Sequence, residues 1–77
     1  MNIDDFVRNF ASLMEDTDTT KFSAQTRFRD DIEEWSSLTA LSVIAMVDSE
    51  YGVSIKGEDI RKSHTIEDIY NIVKSRK

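Results

Sequence analysis

Two adjacent serines, Ser36 and Ser37, stand where an acidic segment gives way to an apolar one, in the run Glu34-Trp35-Ser36-Ser37-Leu38-Thr39-Ala40-Leu41. Beyond them Leu38, Leu41, Ile44, Val47 and Tyr51 recur at three- and four-residue steps as far as Gly52, the spacing of a helical face. Ser37 therefore falls in the first turn of the longest helix that the sequence predicts. A hydroxyl placed there faces solvent and lies at the positive end of the helix dipole, where a phosphate ester is favoured.

Other chemistry fails on residue types or spacing. His64 is the single histidine, far along the chain from Ser37, and no G-x-S-x-G elbow is present, so a Ser-His-Asp triad has no frame. Asp16-Thr17-Asp18 starts like a calcium loop. The glycine wanted at the sixth position is Lys21, however, and the glutamate wanted at the twelfth is Arg27. With only Gly52 and Gly57 there is no glycine-rich phosphate cradle. Asp30, Asp31, Glu33 and Glu34 read as a solvated acidic face rather than a metal site. The chain has no cysteine, so sulfur chemistry would need an added group.

Helices must position the serines. Ile3, Phe6, Val7, Phe10, Leu13 and Met14 form one apolar stripe, with Asp4 and Asp5 suiting the dipole of the first turn, so a first helix is expected to end near Asp16. Residues 17–35 read as a long connection, anchored by Phe22, Phe28, Ile32 and Trp35, with a helical turn around Ser23–Phe28. The second helix is expected over Ser37–Tyr51, with Ser36 as its N-cap and Gly52 as its stop. Val53 and Ile55 point inward from an extended link, and Gly57–Lys62 suits a short third helix. Thr65-Ile66-Glu67-Asp68 resembles a capping box that opens a last helix, whose stripe is Ile66, Ile69, Tyr70 and Val73 with Ile72 alongside. The expected fold is a small all-α four-helix bundle, three helices longer and the third short, in a single domain over 1–77.

Charge narrows the partners. The net charge of −5 divides into −7 over residues 1–50, where eleven Asp/Glu face four Lys/Arg, and +2 over residues 51–77, where four face six. The candidate serine lies in the acidic part, which disfavours nucleic acid there and suits a basic partner. The basic tail Lys74-Ser75-Arg76-Lys77 is thin support for DNA binding on a chain of pI near 4.7. No apolar run approaches the ~18–20 residues that span a bilayer. The acidic start, Met1-Asn2-Ile3-Asp4-Asp5, lacks a secretory signal's hydrophobic segment, so a cytoplasmic protein is expected.

Across essentially the whole chain the sequence resembles acyl carrier proteins. The resemblance lies in the helix order, the long first connection, the short third helix and the tail after Thr65. It is sharpest at Ser36-Ser37-Leu38, against the family's Asp-Ser-Leu, and continues through Leu41, Val43-Ile44, Val47, Glu50-Tyr51-Gly52-Val53 and Ile55. The resemblance implies that Ser37 is esterified by 4′-phosphopantetheine donated by coenzyme A, in a step performed by a separate phosphopantetheinyl transferase with magnesium. It implies no catalytic residue in the chain itself, which is not an enzyme. The arm's thiol would hold acyl groups as thioesters and present them to acyl-loading ligases or synthases and to acyl-transfer enzymes of fatty-acid or another acyl or polyketide-type pathway. Leu41, Ile44, Val47, Ile55 and Ile60 are expected inner-face residues that could shelter an acyl chain.

Two departures qualify the resemblance. Ser36 replaces the usual aspartate, which bears on transferase recognition. Thr39, Ser42, Ala45 and Ser49 leave the exposed face of the second helix nearly neutral, with Asp48 and Glu50 as its acid. Partner recognition is therefore expected through Val43 and Met46, through the acid of Asp30, Asp31, Glu33 and Glu34, and through Trp35, Ser36 and Leu38 beside the attachment site. That pattern points to a dedicated pathway carrier, monomeric, with no nucleic-acid or membrane partner. The alternatives are an aminoacyl or peptidyl carrier, and a helical interaction module that keeps the fold without the modification.

Overall fold

A computed structural model describes residues 2–14, 20–33 and 35–77. Among the described residues the chain is all-helical, with α1 (Ile3–Ala11), α2 (Phe28–Asp31), α3 (Ser37–Tyr51), α4 (Gly57–Lys62) and α5 (Ile66–Arg76). The core gathers Phe6 and Phe10 of α1, Phe28 of α2, Val43 and Val47 of α3 and Ile66, Ile69 and Val73 of α5, all buried. Phe6 meets Tyr51 and Tyr70, each with ring centroids 5.6 Å away, so one α1 side chain ties α3 to α5.

Helix α1 opens on Asn2, whose Oδ1 accepts the Asp4 N–H at 2.7 Å, an N-cap. It ends at Ala11, earlier than the expected end near Asp16. Past Ala11 the chain tightens: the N–H groups of Leu13 and Met14 donate three residues back, to Phe10 and Ala11, and the Ser12 hydroxyl bonds the Asn9 carbonyl at 2.7 Å. Met14 stays buried through this turn. The expected helix end and the Asp16-Thr17-Asp18 segment lie outside the described residues.

Among the described residues of the long connection, the turn expected around Ser23–Phe28 is present over Ser23–Thr26, and a short helix, α2, follows it. In the turn the Ser23 N–H donates to Thr26 Oγ1 at 2.9 Å and the Thr26 N–H to the Ser23 carbonyl at 3.1 Å. Its carbonyls then serve α5: the N–H groups of Ile66 and Glu67 donate to Thr26 and Ala24 at 3.1 and 2.9 Å. Those are first-turn donors that α5 cannot satisfy itself. Phe28 and Ile32 are buried, and the half-buried Trp35 stacks on Phe10 with centroids 6.0 Å apart and rings 2° from parallel.

The remaining boundaries fall where capping chemistry puts them. Ser36 caps α3, and Gly52, at φ 66°, ends it in the left-handed conformation that glycine adopts without strain. Thr65 and Asp68 form the capping box of α5: Thr65 Oγ1 accepts the Asp68 N–H at 3.2 Å, and Asp68 Oδ2 accepts the Thr65 and His64 N–H groups at 3.1 and 2.9 Å. Those backbone donors, His64's first, hold the Asp68 carboxyl below its ordinary range. Helix α4 is tied to α5 by buried Asp59, which receives both terminal nitrogens of Arg76 at 2.7 and 2.9 Å and the Lys56 N–H at 2.9 Å. The Arg76 hydrogen bonds above all bring its pKa down to about 2.

Candidate functional site

Ser36 and Ser37 are both exposed, but their oxygens differ in use. Ser36 Oγ accepts the Thr39 N–H at 3.3 Å and lies 3.3 Å from Thr39 Oγ1. It is committed to the cap. Among the described residues the Ser37 side chain makes no hydrogen bond, and Ser37 is the first residue of α3, in the turn whose N–H groups lack intrahelical acceptors. Of the two, Ser37 offers the free nucleophile, and a phosphate on it would meet the favourable end of a fifteen-residue helix.

A groove of about 490 Å³ opens beside this hydroxyl, between α3 and α4. Half-buried Ile44 and buried Ile60 form its inner part. Ser36, Ser37, Leu41, Arg29 and Arg61 form its exposed edge. The two arginines differ. Arg29 donates to the carbonyls of Ile60 at 2.9 Å, of Arg61 at 3.4 Å and of Ser63, capping the C-terminal end of α4, and its guanidinium also lies over the Phe28 ring. Arg61 makes no such bond.

Compared with known proteins, the chain matches no family model, no curated protein and no solved structure. Its own geometry is what bears on the site.

The expected partner surface divides into residues that face outward and residues that do not. Asp30, Asp31, Glu33, Asp48 and Glu50 are exposed, and Glu34 lies outside the described residues. Asp31 is partly occupied, since its Oδ2 accepts the Arg27 N–H at 2.9 Å. Asp48 lies eleven residues from Ser37, about 16 Å down the helix at about 1.5 Å per residue, so that acid sits at the opposite end of α3 from the serine. Among the described residues no group of three or more His, Asp or Glu is placed to share a metal ion.

Val43 and Met46 are a correction: both are buried in the core and present no side chain to a partner. Leu41, expected on the inner face, is 60% exposed, and Leu38 is 76% exposed. The cause is helical drift. Each three-residue step falls about 60° short of a full turn, so Leu38 and Val47, nine residues apart, point to opposite sides. The core face is Val43, Met46 and Val47, Ile44 turns to the groove, and the outward apolar pair is Leu38 with Leu41.

Arg29 and Arg61 have no place in the sequence-based site. Spacing shows only that Arg61, four residues after Gly57, shares a face of α4 with it; that this face meets the groove follows from tertiary packing. The acid-rich composition around Ser37 hides a groove edge that is cationic.

Proposed function

We propose that the protein is an acyl carrier: Ser37 bears a 4′-phosphopantetheine arm, and the α3–α4 groove receives part of an acyl chain held on that arm. The observation that carries the reading is the free, exposed hydroxyl of Ser37 at the first position of α3, on the edge of a partly apolar groove. The resemblance at Ser36-Ser37-Leu38 agrees with it, as does the helix order of a small carrier bundle. In the modification Ser37 Oγ bonds to the pantetheine-bearing phosphorus of coenzyme A, the adenosine bisphosphate leaves, and the serine proton passes to a base of the transferase, with magnesium there. The attached group supplies the thiol that holds cargo as a thioester. The chain's own residues then orient and shelter: Ser36 fixes the helix start, Leu38 and Leu41 offer apolar contact to partners beside the arm, and Ile44 and Ile60 receive chain carbons. Asp30, Asp31 and Glu33 complement a basic partner. The partners are the transferase, an acyl-loading ligase or synthase and acyl-transfer enzymes.

The exposed pair Leu38 and Leu41 favours a second reading, an interaction module that works unmodified through this apolar patch. Intact mass after incubation with coenzyme A, magnesium and a broad-specificity transferase separates the two. One arm on wild type and on Ser36→Ala, and none on Ser37→Ala, is the expected result. No addition to wild type, while a control carrier is converted, favours the module.

A further inference from the structure

Arg61 folds back along α4, and one of its terminal nitrogens lies 3.4 Å from where a Cβ on Gly57 would stand. This keeps the guanidinium against the N-terminal part of α4, and Arg61 lines the same groove as Ser36 and Ser37. Among the described residues no carboxylate is within ion-pair distance of it, not even Glu58 three residues earlier, and its side chain makes no hydrogen bond. Arg29, its neighbour on that edge, is already spent on three carbonyls of the α4 end.

We infer that Arg61 is a positioning residue for the group carried on Ser37: its guanidinium pairs with the phosphodiester and turns the arm along the α3–α4 groove instead of out into solvent. The inference rests on the carrier reading. An anion at the far end of a cargo would need a cation deep in the groove, where Ile44 and Ile60 stand instead. The anion that reaches the edge is the phosphate bonded to Ser37 itself. A guanidinium matches two phosphate oxygens at once, which fixes direction as well as position. Because the pair is exposed it is screened by salt, and this gives the test its control.

Holo protein is prepared enzymatically as wild type, Arg61→Ala, Arg61→Lys and Lys74→Ala, the last a charge change outside the groove lining. Each is checked by intact mass and circular dichroism, and its phosphorus NMR spectrum is recorded at about 0.01 M and about 1 M salt, where the screening length falls from about 30 Å to about 3 Å. The expected result is a wild-type phosphorus resonance that moves with salt, as it does in Lys74→Ala. Arg61→Ala should stay near the high-salt position throughout, with Arg61→Lys between. An arm on Ser37 whose resonance is the same in Arg61→Ala and wild type at both salts overturns the role of Arg61 alone. A chain that accepts no arm overturns the carrier reading, and this inference with it.

Discussion

At the scale of single residues, Ser36 and Ser37 show how one backbone position separates a hydroxyl committed to a helix cap from one that is not. The N-cap oxygen is aimed at the helix it starts, whereas the next hydroxyl has no intrahelical duty. Asp59 shows the opposite extreme, a carboxylate with all its work inside the fold. Its pKa of about 2, against an ordinary value of 3.8, means that the folded state favours the ionised form. Its contribution is therefore complete above pH ~4 and is lost as pH falls toward about 2. Asp68 is shifted in the same direction. Asp59→Asn keeps the shape, removes the charge that Arg76 and the Lys56 N–H bind, and should cost about 1–3 kcal/mol at neutral pH. Urea titrations at several pH values check this: the gap between wild type and variant should close between pH ~4 and ~2. A constant gap would place the cost elsewhere.

At the scale of elements, the connection between α1 and α3 does more than link them. Thr26 and Ala24 supply carbonyls to the start of α5, and Arg29 covers the carbonyls at the end of α4. Arg29→Ala should therefore destabilise the chain by about 1.5–3 kcal/mol, the range for hydrogen bonds to a charged group. Amide exchange should quicken in Ile60–Ser63 before it does in the core of α5; exchange quickening evenly along the chain would refute the local role.

Little of this bracing is legible in the sequence, because it joins residues more than thirty positions apart through backbone carbonyls that no side-chain pattern marks. Helices whose limits are set locally are legible. Ser36 and Gly52 bound α3, Thr65 and Asp68 open α5, and each signal acts within four residues of the boundary it sets. The face of α3 is harder to read, since its apolar residues cover more than one side. The stripe through Leu38, Leu41 and Ile44 is real, but it winds from solvent to groove rather than along the core. The proposed attachment point rests on Ser37, whose place at the start of α3 a single turn of sequence predicts. The place of Arg61 is not legible in this way, because it comes to the groove by tertiary packing.

At the scale of the molecule, the core aromatics and the groove share a wall. Trp35 lines the opening next to Ser37 and stacks on Phe10, which packs in turn against Phe28. It is also the single tryptophan in the chain. The protein thus carries its own optical gauge of whether the space between α3 and α4 is filled. If Ser37 bears the proposed arm, the indole of a chain loaded with a long acyl group, excited at the red edge of its absorption, should emit further to the blue and resist quenching by iodide better than a chain with the bare arm. Equal emission and equal quenching in the two states would mean that the cargo lies elsewhere.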